Sequence, residues 1–283
     1  ISACLVGSEM CIRDSDGTTL LDYWMESKTD SSSATFWVEV SDNLGAGDAT
    51  IYLYYGKSSE TTTSNGGNTF PLLFDDFANL NSWTVRHGTW SIESGAAKCV
   101  GDGLTVSDAD LLQHNSFSMS SGKAIRSRMK TDGTNVGVVP RRQDANNFIF
   151  DYLQYASGQD QLYSSAKVGG SWDEVYTGFD WTENVYFVLE ARERVAGEFT
   201  AVIESTSVTN TVDPVTGCLG IKGCVTSGKI SYFDWILVRK FVSPEPGHGA
   251  WGTEEARMCI GYYQVFDMNM SKCTYYGSVP SDA

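Results

Sequence analysis

The sequence predicts an all-β protein built as a sandwich or barrel, and three observations support that prediction. Short runs of β-branched and aromatic residues recur along the chain, separated by clusters of Ser, Thr, Asn and Gly. Glycine is abundant at 28 residues and proline scarce at 6, which is typical of many short strands joined by turns. No long stretch places apolar residues at helical spacing. With 41% hydrophobic residues among 283, the chain can form a real core, and more than one domain.

Each predicted strand is a short apolar, β-branched or aromatic run bounded by polar or glycine-rich turns. In the N-terminal part of the chain the predicted strands are Leu20–Met25, Thr35–Val40 and Thr50–Tyr55. In the remainder they are Trp83–Val85, Thr89–Glu93, Ala96–Val100, Ser116–Met119, Lys123–Lys130, Val136–Pro140, Phe148–Tyr155, Leu162–Ser165, Val185–Arg192, Phe199–Ile203, Leu219–Cys224 and Ile230–Lys240. Their spacing along the chain is typical of a β-sandwich.

Composition changes along the chain indicate its organisation. Residues 1–14 resemble a translated sequencing adapter, so we exclude them from fold reasoning and treat the chain as an environmental, metagenomic fragment. Residues 15–56 form a small, truncated β unit, and residues 57–68 form a polar linker without apolar periodicity. Residues 69–243 carry the sandwich. A Pro/Gly connector and a tail without clear alternation, to which we assign no fold, make up residues 244–283.

The run from Tyr232 to Lys240 alternates cleanly and has two apolar faces. Regular alternation places Phe233, Trp235 and Leu237 on one face and Asp234 on the other, beside Ile236 and Val238. An ionised carboxylate in such surroundings needs a cation, an arginine or several amide donors.

Asp75 and Asp76, enclosed by Phe74 and Phe77, repeat this pattern far upstream. Neighbouring residues of a strand point to opposite faces, so at most one of the two faces inward with Asp234. If the first and last strands of the sandwich meet, these carboxylates can share a metal ion.

Two portions of the chain resemble known proteins. Residues 16–24 (DGTTLLDYW) with residues 51–56 (IYLYYG) resemble the end of domain-of-unknown-function family 2341, found in bacterial and archaeal surface proteins, and residues 237–252 are similar to the closing segment of those proteins. Phe74 to Phe77, Trp83, Trp90 and the Tyr232–Val238 strand resemble a concanavalin A-like, laminin G-like jelly roll. The resemblance implies that a jelly roll follows the truncated unit, in a secreted protein located outside the cell or on its surface.

The jelly-roll resemblance also implies a cofactor. In glycoside hydrolase family 16, which has this fold, an Asp of the last strand binds a structural calcium in a setting similar to Phe233-Asp234-Trp235. Calcium prefers carboxylate and carbonyl oxygens. We therefore name Asp75, Asp76 and Asp234 as candidate ligands of a structural calcium. The alternative is a hydrogen-bonded Asp that holds the strand ends together without metal.

Charge and hydropathy restrict the partners. A net charge of −15 argues against nucleic acid or an anionic membrane, because both would repel the chain. No apolar stretch is long enough to cross a bilayer, so we expect no membrane insertion within this sequence.

Catalytic carboxylates are not evident. Retaining glycosidases need two carboxyl groups about 5–5.5 Å apart, and family 16 supplies them from an E-x-D-x(-x)-E motif that this sequence lacks. Glu190 and Glu193 are three residues apart and therefore face opposite sides of a strand, while Asp173 and Glu174 lie in a predicted loop. We expect the chain not to be an enzyme.

A sheet face offers a binding surface instead. If their strands line one sheet, a polar and aromatic groove is formed by Arg126, Arg128, Tyr152, Gln154, Glu190 and Arg192. Such a surface suits sugars, because rings stack on aromatic faces and planar polar groups bind hydroxyls. Trp172 and Trp181 are rival platforms, and an ordinary solvated sheet face is the alternative to any site.

We therefore expect a non-catalytic module that binds a glycan or cell-surface polysaccharide, or mediates adhesion. The alternatives are a polysaccharide-acting enzyme with its acids in loops, and a purely structural spacer in an adhesin.

Overall fold

The computed structural model describes residues 9–13, 18–29, 33–40, 48–57, 63–104, 107–156, 158–212, 215–245, 255–258, 262–268 and 272–276. The chain divides into two compact units. One is Leu72–Ser243, and the other combines Ile1–Pro71 with Pro244–Ala283.

In the unit formed by the two ends of the chain, the described elements are strands and one short helix. Its N-terminal elements are β1 (Glu9–Arg13), β2 (Tyr23–Thr29), β3 (Ser33–Val38), β4 (Ile51–Lys57) and the one-turn helix α1 (Gly66–Thr69). The side chain of Asn65 caps α1 by accepting a hydrogen bond from the backbone N–H of Asn68 at 3.0 Å.

The Leu72–Ser243 unit contains fifteen strands among its described residues. They are β5 (Leu73–Asp75), β6 (Trp83–Val85), β7 (Thr89–Glu93), β8 (Ala96–Val100), β9 (Leu111–Ser118), β10 (Lys123–Thr131), β11 (Val136–Asp144), β12 (Asn147–Ala156), β13 (Gln159–Val168), β14 (Ser171–Gly178), β15 (Phe187–Glu193), β16 (Glu198–Ile203), β17 (Thr206–Thr211), β18 (Cys218–Lys222) and β19 (Ile230–Lys240).

The remaining strands complete the sheets of the N-terminal ones. They are β20 (Glu255–Met258), β21 (Tyr262–Met268) and β22 (Lys272–Tyr276). One sheet has the order β1-β4-β21-β20 and the other the order β2-β3-β22. The tail to which the sequence analysis gave no fold thus supplies strands to both sheets of this unit.

Two large antiparallel sheets form the Leu72–Ser243 unit. The eight-stranded sheet has the order β17-β16-β15-β10-β19-β8-β7, with β5 paired to β19, and the seven-stranded sheet has the order β14-β13-β12-β11-β18-β9-β6. One apolar cluster contains residues of both sheets, including Ile125, Leu189 and Phe233 from the first and Val138 and Leu153 from the second. The sheets therefore close over a shared core, and the all-β sandwich predicted from the sequence is confirmed.

The first and last strands of the sandwich meet, as the metal hypothesis required. Strand β5 pairs antiparallel with β19, so that Asp75 lies opposite Ile236 and Phe74 opposite Leu237.

A β-bulge in β19 makes the predicted alternation of this strand wrong. Arg128 of β10 lies opposite Trp235 and Met129 opposite Phe233, so Asp234 is the extra residue. The bulge reverses the parity of the strand. Phe233 therefore shares the core with Ile236 and Val238, whereas Trp235 and Leu237 lie opposite Arg128 and Arg126 on the outer face.

The strands that the sequence analysis did not predict lack a clear apolar pattern. β14 is exposed along nearly its whole length, and it contains Asp173 and Glu174, which the sequence assigned to a loop. β17 and the first half of β9 were also not predicted. β14 is an exposed edge strand without a buried face, so period-2 hydrophobicity, the usual signal of a strand, is absent there. The first half of β9 is buried inside its sheet, but its residues LLQHN do not alternate between apolar and polar.

Candidate functional site

The six candidate binding residues do not line one sheet, and that prediction is corrected by the topology. Arg126 and Arg128 lie on β10, and Glu190 and Arg192 on β15, all in the eight-stranded sheet. The other two, Tyr152 and Gln154, lie on β12 in the seven-stranded sheet. The residues therefore form two sets on the opposite outer faces of the sandwich.

On the seven-stranded sheet, a row of residues runs across five neighbouring strands. The strand register places one residue of each strand side by side: Lys222, Gly137, Tyr152, Tyr163 and Tyr176. The row belongs to the outer face, because Tyr152 and Tyr163 cluster with Phe148 and Phe150 outside the central core.

The aromatic rings of this face stack on one another. The Phe150 and Tyr152 ring centroids are 4.1 Å apart and the planes differ by 6°. Tyr152 and Tyr163 follow at 4.9 Å and 13°, and Tyr163 and Tyr176 at 5.0 Å and 34°. Offset stacking and burial hold such rings in place, so the face has a rigid aromatic floor.

Gly137 makes room for this floor. A Cβ atom at residue 137 would lie 2.7 Å from Cα and Cβ of Tyr152, which is closer than real contacts allow. Only glycine therefore fits between Lys222 and Tyr152 in the row.

A cavity of about 380 Å³ opens over this floor, and we call it the aromatic groove. Its volume lies within the range of small-molecule sites, roughly 300–1,000 Å³. The described residues that line it are Leu104, Ser107, Asn135, Phe150, Tyr152, Gln154, Tyr163, Trp172, Glu174, Lys222 and Val225.

The rim of the aromatic groove carries an exposed indole ring and planar polar groups. Trp172 is 44% exposed and packs edge-to-face on Phe148, with ring centroids 5.4 Å apart. The Tyr152 hydroxyl donates a hydrogen bond to Oε1 of Glu174 at 3.2 Å, which orients that carboxylate. Burial raises the pKa of Tyr152, so its hydroxyl stays protonated and keeps donating this hydrogen bond.

The two rival tryptophans have different surroundings. Trp172 lines the aromatic groove, while Trp181 packs against the central core cluster and lines a separate cavity with Tyr155. Trp172 is thus the better placed of the two to contact a ligand.

On the opposite outer face, arginines surround Glu190. The Glu190 carboxylate lies 3.5 Å from Arg126, 2.5 Å from Arg192 and 3.0 Å from Arg239. Burial opposes ionisation, but the three guanidinium groups outweigh it and hold the pKa of Glu190 at about 2. This set is an internally paired ion cluster, and the guanidinium groups of Arg192 and Arg239 lie over the ring of Phe241.

Asp234, the carboxylate singled out in the sequence, is paired with an arginine. Arg128 donates a hydrogen bond to Oδ2 of Asp234, and the same guanidinium lies 3.9 Å from the ring centroid of Tyr186. An arginine was one of the three partners that the sequence required for this residue.

The other two candidate metal ligands also have local donors. The Asp75 carboxylate accepts hydrogen bonds from the Phe77 backbone N–H and from Nε1 of Trp83, both at 2.7 Å. The exposed Asp76 accepts one from the backbone N–H of Ala78 at 3.3 Å. For Asp75, this is the metal-free arrangement that holds the strand end in place.

These carboxylates do not fit a calcium ion in this arrangement. Asp75 faces N–H donors on both oxygens, and the guanidinium at Asp234 would repel a cation. Within the described part of the chain, no group of three or more His, Cys, Asp or Glu side chains is close enough to hold a metal.

The calcium hypothesis stays a prediction with a direct test. A structural calcium would raise the melting midpoint in calcium over that in chelator, and Asp234→Ala would abolish the difference. From the donors around these residues we expect equal midpoints in thermal melts under both conditions.

Comparison with known proteins gives one family match and several structural likenesses. The model of a domain of unknown function, DUF2341, matches residues 7–93, a range that begins inside the segment interpreted as an adapter. None of the curated proteins matches the chain.

Three solved structures illustrate the likenesses. Carbohydrate-binding module CBM66 from Bacillus subtilis is 16% identical with a TM-score of 0.41, covering 58% of this chain and 96% of that one. The GH43 protein BlXynB from Bacillus licheniformis is 10% identical with a TM-score of 0.48, covering 83% and 63%. Galectin-Ib from Xenopus laevis is 13% identical with a TM-score of 0.35, covering 44% and 96%.

The described part of the chain contains no helix with the length and apolar character needed to span a bilayer.

Proposed function

We propose that this chain is a non-catalytic carbohydrate-binding module whose ligand lies in the aromatic groove of the seven-stranded sheet. The observation that carries the proposal is the exposed Trp172 ring beside planar polar groups, above a rigid aromatic floor. We place the module in an extracellular or cell-surface protein, with a glycan or cell-surface polysaccharide as its partner.

The chemistry of the groove suits a sugar ring. One face of a pyranose consists of C–H groups that pack on an aromatic ring, and its equatorial hydroxyls need donors and acceptors in nearly the same plane. Trp172 supplies the ring, and Asn135, Gln154 and Glu174 supply amide and carboxylate groups. Because stacking already fixes the floor, little side-chain entropy is lost on binding.

The arrangement of acids supports a non-catalytic role. Retaining glycosidases place two carboxyl groups about 5–5.5 Å apart and inverting ones about 6.5–9.5 Å. Glu174 is the single carboxylate among the described residues that line the aromatic groove. Asp151 and Glu190 do not complete a pair, since Asp151 is buried inside the sandwich and Glu190 lies on the other sheet.

Replacing Trp172 tests the proposal. We expect the unaltered chain to bind a subset of a glycan array saturably, and Trp172→Ala to weaken that binding about tenfold or more, equivalent to ~1.4 kcal/mol. Titration calorimetry with the best array ligand measures the effect.

Two further variants locate the site. Tyr155→Ala removes a comparably exposed ring that lines the separate cavity, so it should leave the affinity unchanged. If Arg128→Ala abolishes binding while Trp172→Ala does not, the ligand lies on the eight-stranded sheet and the proposal is wrong. Absence of binding to every glycan would support the structural-spacer alternative.

A further inference from the structure

One end of the aromatic groove is formed by a lysine for which the described residues provide no close ion-pair partner. Lys222 is the last residue of β18 and only 3% exposed, yet it lines the groove. Its ammonium lies 5.1 Å from the ring centroid of Phe150. Among the described residues, no acceptor forms a hydrogen bond or close ion pair with it, and the Asp110 and Asp108 carboxylates act on it at longer range.

A buried, unpaired ammonium is unfavourable. Lysine is almost never fully buried unless it is paired, because removal from water penalises the charged form. Burial accordingly lowers the pKa of Lys222 to about 8, while the more distant Asp110 and Asp108 carboxylates favour the proton. At neutral pH the group is therefore still mainly cationic, and none of the described residues that line the groove forms an ion pair with it.

We infer that the aromatic groove takes acidic glycans, and that the carboxylate of a uronic acid unit pairs with Lys222. This inference rests on the proposed function and specifies its ligand class. A ligand carboxylate would supply an acceptor to a lysine that is almost fully buried, where charge-assisted hydrogen bonds are strong.

The two ends of the groove differ in charge, which sets the direction of the ligand. Lys222 lies on β18 and Glu174 on β14, with three strands between them. Glu174 is already an acceptor for the Tyr152 hydroxyl, and its free oxygen suits a sugar hydroxyl rather than an acid. The unit whose carboxylate pairs with Lys222 therefore lies at that end, and the rest of the oligosaccharide extends towards Trp172 and Glu174.

The acidic surface does not prevent this selection. A net charge of −15 repels an anionic polymer at long range. Salt at about 0.15 M screens exposed charges beyond ~8 Å but weakens a buried pair much less. Recognition by Lys222 is thus local.

The test compares each acidic oligosaccharide with its carboxyl-reduced, neutral counterpart. Oligogalacturonate, oligomannuronate and glucuronoxylan fragments are titrated into the unaltered chain by calorimetry. We expect at least one acid to bind about tenfold or more tightly than its reduced form, which corresponds to ~1.4 kcal/mol. Lys222→Met should remove that preference while the reduced form still binds. As a matched control, Lys98→Met, which changes a lysine paired with Glu93 on the eight-stranded sheet, should keep the preference.

Each outcome is decisive. Equal or tighter binding of the reduced form in all three pairs overturns the inference but leaves glycan binding intact. A preference that survives in folded Lys222→Met also overturns it. Absence of binding to any glycan removes the proposed function and this inference together. If Lys222→Met does not fold, Lys222→Gln replaces it and should likewise lose the preference for the acid. The comparison of acid and reduced forms on the unaltered chain is made in either case.

Discussion

Replacing Arg141 by Met is expected to lower the free energy of unfolding by about 3–5 kcal/mol, the usual cost of leaving one buried charge without its partner. Arg141 lies on β11 and Glu193 on β15, so their ion pair joins the two sheets through the interior. One guanidinium nitrogen donates to both Glu193 oxygens, at 2.7 and 2.6 Å, and another to the Val215 carbonyl at 2.9 Å. Without Arg141, the Glu193 carboxylate would remain buried and charged.

Urea denaturation of three variants measures this effect. The double variant Arg141→Met with Glu193→Leu should recover much of the loss, because a buried ion pair and a well-packed apolar pair are often of similar stability. Arg194→Met breaks a surface pair in which Arg194 is 55% exposed, and should leave the midpoint unchanged. If Arg141→Met were as mild as Arg194→Met, the pair would not be a determinant of stability.

Replacing Asp151 by Asn is expected to stabilise the protein at alkaline pH and to have little effect in acid. Asp151 is fully buried on β12, and neither carboxyl oxygen has a hydrogen-bond partner among the described residues. The Ser164 hydroxyl across the strand pair favours the charged form, although its geometry falls short of a hydrogen bond to either oxygen. Burial dominates and raises the pKa of Asp151 to about 7.

The sign of the pH effect follows from proton linkage. Between about pH 4 and pH 7 the folded state binds more protons at Asp151 than the unfolded state, whose pKa is ~3.9, so stability falls as pH rises. Raising the pKa of Asp151 from ~3.9 to about 7 destabilises the folded state by roughly 4 kcal/mol, and this penalty is fully present above pH 7 and absent below pH 4. Asn carries no charge and avoids this penalty.

Urea unfolding of the parent chain and Asp151→Asn at pH 3.5 and pH 8 checks this expectation. The free energy of unfolding of Asp151→Asn should exceed that of the parent chain at pH 8 and equal it at pH 3.5. Asp144 provides the opposite sign as a control, because hydrogen bonds from Asn146 and Asn147 lower its pKa, so Asp144→Asn should not stabilise the protein at pH 8. A constant difference between parent and Asp151→Asn at both pH values would contradict the account.

The sequence predicted the fold class and many of the strands because buried strands show alternation. The sequence analysis made the meeting of the first and last strands the condition for Asp75 to approach Asp234. The structure meets that condition, because β5 pairs with β19. The parity of β19 was wrong because a bulge at Asp234 inserts one residue, and bulges leave no period-2 signature. Local pattern fixes which residues alternate, but not where the alternation is interrupted.

The candidate site was only partly predictable. Tyr152, Gln154 and Trp172 were named from their residue types, but their grouping with Arg126 and Glu190 required knowing which strands share a sheet. That depends on long-range pairing, which alternation cannot provide. Lys222 and Gly137 were not named as site residues, and Glu174 was assigned to a loop. The register across β18, β11 and β12 brings Lys222 and Gly137 to the same row as Tyr152.

The row across the seven-stranded sheet has a consequence for how this face can diverge. Each of its five positions belongs to a different strand, and neighbouring strands keep a separation of about 4.8 Å whatever side chains they carry. A substitution at position 176 therefore changes one contact without moving position 152 or 222. Except at position 137, where only glycine fits, ligand preference can evolve here one strand at a time, at fixed spacing, without any change in loop length.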